Sequence, residues 1–233
     1  MAELYRDAPP LARDAHYVTR QTHVPRERLL AGSGEAWEPV PSIAWGPDRF
    51  LTTFRALWTS ESLVVRFDAR DEHPWHVHAR RDDSLWEEEV VEIFLDPTRS
   101  GASYAEVEIS PANVVCDLRV ASPWPALASD KAWDWAGLET RVHHHPASDA
   151  PGYVTWQAAA WMPWDGLRSL GGATAVRLPP RAGDRWRMNV FRIKRPGGPR
   201  DREHGAIYAA WSVPVEGPSF HVPDAFRDLV FVA

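Results

Sequence analysis

Hydrophobic positions recur with a period of two along much of this chain. At residues 62–69, Leu63, Val65 and Phe67 fall on one face, and Val64, Arg66 and Asp68 on the other. That spacing predicts a half-buried β-strand. Residues 90–96 (VVEIFLD) and 104–110 (YAEVEIS) repeat it, and the intervening PTRSGAS has turn chemistry. Together they predict a β-hairpin. Val91, Ile93 and Leu95 share one face of its first strand, and Ala105, Val107 and Ile109 one face of its second. The other face then holds Glu92, Phe94 and Asp96 with Tyr104, Glu106, Glu108 and Ser110. Symmetry of the hairpin about position 100 sets Glu92 directly across from Glu108.

Further strands are predicted at 114–120, 138–142, 153–161, 186–194, 206–211 and 228–232, with edge strands and turns over 37–54. A short helical piece lies in MPWDGLRSLGG and ends at a Gly pair. Helical periodicity never extends beyond about ten residues. Many short strands with frequent turns predict an all-β, antiparallel β-sandwich of the immunoglobulin or jelly-roll kind. Residues 1–30 are polar and weakly periodic, and read as an extended N-terminal arm. Residues 31–233 read as one domain, without repeats or a linker.

Composition agrees with a globular chain of 233 residues, 44% hydrophobic and 25% charged. The formal net charge of -6, with no Lys/Arg run, leaves no basic face for nucleic acid. No run of 18 apolar residues offers a membrane span. The first residues lack the apolar core of a signal peptide, so the chain as written is expected to stay in the cytoplasm where it is made. Cys116, the single cysteine, excludes an internal disulfide and a thiolate-rich metal site, and reads as buried filler. Most of the 13 Trp must be core, which leaves one to three for a stacking platform.

The acidic hairpin face needs compensation, because like charges directly opposite on a sheet repel by roughly 0.2–1 kcal/mol. Water, Arg192 or Lys194 from a neighbouring strand, a calcium ion or sugar hydroxyls would each supply it. Trp86 stands just before the hairpin. A flat ring beside carboxylates suits the C–H face and the hydroxyls of a pyranose. Trp86, Glu92 and Glu108 bring that chemistry into one short window.

Here the chain resembles the family 9 carbohydrate-binding modules, of the DOMON-like β-sandwich superfamily. The family's Trp–acidic–x–acidic–x–Val–Glu–Ile–Phe stretch is similar to residues 86–94, WEEEVVEIF. Upstream, LWTSESLVVRFDARD resembles its Trp, turn and strand. Downstream, Trp211-Ser212-Val213-Pro214 and residues 220–229 resemble its closing stretches. The resemblance runs from about Trp37 to Phe231. It implies a non-catalytic sandwich that holds a sugar between two aromatic rings, with Trp86 and Phe220 at the ring positions and Glu92 as a sugar contact. Glu108 and Ser110 stand where the family pattern has Arg and Asn, which puts the familiar capture of a reducing end in question. It further implies that no cofactor is required, although family members often hold structural calcium.

Other constellations have other readings. His76 and His78, two apart, have a zinc-compatible spacing without a third ligand, and residues 143–145 read as a polar His run. Glu92 and Glu108 could form the carboxylate pair of a retaining glycosidase, since opposed Cβ atoms lie about 5 Å apart. A haem-binding relative would draw on Met162 and His221. Walker-type loops, GxSxG and HExxH are absent from the sequence.

Overall fold

The computed structural model describes residues 11–32, 34–148, 150–170, 176–215 and 219–233. Its first strands are β1 (His16–Gln21), β2 (Ile43–Trp45), β3 (Thr52–Trp58) and β4 (Ser62–Asp71). The predicted hairpin forms as β5 (Val90–Asp96) and β6 (Tyr104–Ile109), followed by β7 (Val115–Ser122) and β8 (Ala128–Asp130). Then come β9 (Glu139–Pro146), β10 (Val154–Pro163), β11 (Arg185–Lys194), β12 (Ile207–Ala210) and β13 (Arg227–Val232). One short helix, α1 (Arg26–Leu30), and several 3₁₀ turns complete the described residues. Among the described residues, no helix is long and apolar enough to cross a membrane.

The strands form one curled sheet in the order β8-β7-β6-β5-β11-β13-β1-β3-β4-β10-β9. The sheet turns its corner at β11. The first half of that strand pairs with β13 and the second half with β12. Two layers result, and their inner faces share one core. Val91, Ile93, Leu95 and Val107 from one layer lie in the same cluster as Phe54, Val65, Phe67 and Trp156 from the other. The strand alternation read from the sequence is thus the alternation between this core and the opposite face. Nine tryptophans are buried: Trp37, Trp45, Trp58, Trp133, Trp135, Trp156, Trp161, Trp164 and Trp186. Cys116 is also buried and free.

The sandwich is mixed rather than wholly antiparallel. β1 runs parallel to both its neighbours, β13 and β3. The segment expected to be a polar arm therefore contains a strand well inside the sheet, with Tyr17 and Thr19 buried. Two inward positions are too few to show a period. The strand is completed by partners such as Asp228–Val232, far along the chain. The remaining face of β3, β4 and β10 is covered by Leu29 and Leu30 of α1 and by Trp37. The Trp37 indole N–H donates to Leu29 O at 3.1 Å, so the ring is buried with its polar atom satisfied.

Arg192 and Lys194 correct another expectation. Arg192 lies opposite Val91 in the β11–β5 register, so it shares the inner face with Val91 and not the acidic face with Glu92. Its guanidinium donates to Asp71 at 2.6 Å, as does the Lys194 ammonium. Lys194 also bonds Glu89. These charges are buried between the layers and leave Glu92, Glu106 and Glu108 without them.

Candidate ligand-binding site

The outward face of β5, β6, β7 and β11 carries a second apolar cluster that includes Phe94, Tyr104, Leu118, Phe191 and Ile193. Above it opens a cleft of about 400 Å³. Glu92, Glu106 and Glu108 line its floor, and Trp86, Tyr208 and Phe220 stand around them. The period of two explains the floor, since residues 92, 106 and 108 share one side of the hairpin. Glu92 does lie directly opposite Glu108.

Trp86 sits on the 3₁₀ turn Leu85–Glu87 that leads into β5. Its ring is 38% exposed, the condition for meeting a ligand. Lys131 Nζ stands 4.6 Å from the ring centroid on an adjoining loop. Phe220 is 8% exposed and rests on Phe191, stacked at 4.3 Å between centroids. Phe220 is thus part of a packed aromatic group, whereas Trp86 is the more exposed ring, with one face met by Lys131. Arg195 ties the wall together by donating to Trp86 O at 2.9 Å and bonding Glu203, with its guanidinium 5.3 Å from the Tyr208 ring.

The floor is electrostatically unusual. All three carboxyls are buried, and burial raises the cost of charging them. Glu92 and Glu106 are pushed well above the usual carboxylate range, first by burial and then by the charge of Glu108. Burial pushes Glu108 up to about 7. Both Glu108 carboxyl oxygens and Glu106 Oε2 are buried without a well-formed hydrogen bond, although the Glu106 carboxyl and the Trp86 amide approach Glu108 and oppose the effect of burial on it. His221 flanks the floor, with Nδ1 2.9 Å from Tyr104 Oη and 3.9 Å from Glu106 Oε2. Its ring stacks on Phe94 at 4.9 Å, and burial lowers its pKa to about 4, so it is neutral at pH 7.

A pH-dependent stability follows. The folded pKa of Glu108 is raised, so the folded state keeps a proton that the unfolded chain has already lost. The stability this confers is complete below the unfolded value and is lost as pH rises through about 7. Glu108→Gln has no such loss. The stability of E108Q relative to wild type is expected to increase between about pH 5 and about pH 8 in urea unfolding, the variant also losing the charge that raises Glu92 and Glu106. His221 titrates in both proteins and cancels to first order in the difference.

Of the residues singled out in the sequence, the structure brings Trp86, Glu92, Glu108 and Phe220 to one cleft. It leaves Ser110 and Arg192 outside. Ser110 is buried at the β6–β7 turn, where its Oγ accepts from the amides of Ala112 and Val114 at 3.3 and 3.1 Å. Arg192 belongs to the inner core. Tyr208, Arg195, Lys131 and His221 escaped the sequence reading as members of this site. Only His221, beside Phe220, had a local signal.

The remaining candidates are separated from the cleft. Met162 is buried in the core between the layers, whereas His221 lines the cleft on the outward face, so the two cannot ligate one haem iron. His78 lies near Asp83 and Glu87. Among the described residues, the one group with metal-like spacing is Asp82, Asp117 and Asp134, with ligand atoms within 4.8 Å of one another. Arg81 bonds Asp117 and Asp134, and the Trp135 amide donates to the other Asp117 oxygen. With a guanidinium already facing these carboxylates, the set does not fit calcium, which takes six to eight oxygens.

The chain is thus a curled two-layer β-sandwich with an aromatic-walled, acid-floored cleft on its outward face. The model of carbohydrate-binding family 9 matches residues 25–231, and the chain belongs to that family. An extracellular protein of Arthroderma benhamiae is 29% identical over 184 residues, which are 78% of each chain. A candidate carbohydrate-binding protein from Bacteroides uniformis superposes with a TM-score of 0.68 at 13% identity, over 93% of this chain and 98% of that one. A family 9 module from Caldicellulosiruptor kristjanssonii, solved with cellotriose, gives 0.64 at 12% identity over 94% of both chains. A family 9 module from Caldicellulosiruptor kristjanssonii solved with glucose gives 0.63 at 12% identity, over 93% of this chain and 95% of that one. At these identities the solved structures establish the shared fold.

Proposed function

We propose that the chain is a non-catalytic carbohydrate-binding module whose sugar lies in the Trp86–Phe220 cleft. The observation that carries this reading is the placement of an exposed indole and a packed phenyl ring around a carboxylate floor in one cleft. Rings take the apolar face of a pyranose, and Glu92 and Glu108 accept from its hydroxyls. Membership of carbohydrate-binding family 9 and the sugar complexes of its structural neighbours support the same reading. Catalysis by Glu92 and Glu108 is disfavoured, because a retaining pair needs one ionised nucleophile and burial opposes charge on both.

Calorimetric screening against mono- and oligosaccharides tests the proposal. Binding to at least one sugar is expected, and Trp86→Ala should weaken it by about 2 kcal/mol, roughly thirtyfold in Kd. A complete lack of binding across the panel, or a Trp86→Ala variant that binds as well as wild type, would refute the placement.

A further inference from the structure

We infer that the cleft selects sugars carrying a free, protonated amino group, an inference that rests on the sugar-binding reading above. Three observations combine. First, Glu92, Glu106 and Glu108 converge on one floor, and each is no more than 3% exposed. Second, three buried acceptors there make no well-formed hydrogen bond: Glu106 Oε2 and both oxygens of Glu108, with the Glu106 carboxyl and the Trp86 amide as the nearest polar groups to Glu108. Third, no neighbouring cation is bonded to these oxygens, although the charge of Lys131 reaches Glu106 and Glu108. Lys131 Nζ donates to Asp82 O at 2.6 Å and stands over the Trp86 ring. Arg195 is bonded to Glu203, Arg202 O and Trp86 O. Arg192 and Lys194 point into the inner core against Asp71.

A neutral sugar hydroxyl offers one donor and no charge. An ammonium brings three N–H donors and a positive charge, so it can displace the protons that burial keeps on the floor and offset the cost of charging Glu108 and Glu106. Desolvated carboxylates recover their lost hydration best from a charged donor, because charge-assisted hydrogen bonds are about twice as strong as neutral ones. The surrounding rings still require the apolar face of a pyranose, so a bare amine satisfies only part of the site. The ligand class this defines is the amino sugar with an unsubstituted amine.

Isothermal titration at about pH 6.5, where a primary amine is protonated, tests this with D-glucosamine, D-glucose, N-acetyl-D-glucosamine and cyclohexylamine. D-Glucosamine is expected to bind at least about tenfold more tightly than each of the others. In Glu108→Gln its advantage over D-glucose should fall at least about fivefold, with Glu106→Gln as the second variant giving the same direction. Equal or tighter binding of D-glucose by the wild-type protein would overturn the inference while leaving a sugar-binding module in place. Equal binding of cyclohexylamine would make the cleft an amine site and overturn it too. Failure of every sugar, neutral and amino, would remove both the inference and the reading beneath it. An unchanged preference in both variants would show that these carboxylates do not read the amine.

Discussion

Asp71→Ala is expected to lower folding stability by about 3–5 kcal/mol, read from the urea midpoint at constant slope. Asp71 is fully buried at the end of β4 and accepts from two cations of β11 at 2.6 Å each, Arg192 Nη2 and Lys194 Nζ. Those cations hold its carboxyl below the ordinary Asp range against the opposing effect of burial. Without it, Lys194 retains Glu89, but Arg192 keeps hydrogen bonds only to Thr52 and a backbone carbonyl, with the Trp156 ring face and the more distant charge of Glu89 beside it. A buried guanidinium without a counter-ion is among the more costly defects a core can carry. A double variant, Asp71→Leu with Arg192→Met, should recover more than about 1 kcal/mol of the loss, because apolar groups of similar volume replace buried ion pairs at little net cost. A double variant no more stable than Asp71→Ala would show that packing, and not an unpaired charge, sets the penalty.

Phe94→Ala is expected to remove a comparable amount, about 3–5 kcal/mol, and to loosen the cleft as well. Phe94 is fully buried under the floor and is the ring on which the outward cluster converges. Its neighbours are Tyr104 at 5.6 Å, Phe191 at 4.6 Å, His221 at 4.9 Å and Phe226 at 6.1 Å between centroids. Phe191 supports Phe220, and His221 borders Glu106, so one cavity beneath Phe94 undermines two walls. Thermal unfolding should show the stability loss, and calorimetry on the folded variant should show weaker sugar binding than wild type. Phe94→Leu, which keeps most of the volume, should fall between the two. A folded Phe94→Ala variant with undiminished affinity would separate this packing from the cleft.

Local pattern and tertiary structure contributed differently to this molecule. The β5–β6 hairpin was legible because its register follows from a short turn and a period of two, both local properties. Those same properties put Glu92 opposite Glu108 and established which face of the hairpin is apolar. The family motif at residues 86–94 lies in the same stretch, so fold class and the acidic half of the cleft were readable together. Most of the tryptophan content was also readable as core, as the nine buried rings show.

What depended on distant parts of the chain was not legible. β1 was hidden in a polar segment because its parallel partners lie near the C-terminus and in β3. Arg192 and Lys194 looked like partners for the acidic face. Only the register of β11 against β5 shows that they point inward to Asp71. Tyr208 and His221 reach the cleft from β12 and a loop, and Lys131 stands beside its Trp86 wall, with no periodicity to announce them. The sequence by itself determined the strand faces, the sandwich class and the opposed carboxylates, since each is decided by neighbours a few residues apart. Only the tertiary structure decided that those carboxylates lie buried with no cation bonded to them, because burial and charge pairing are set by long-range register.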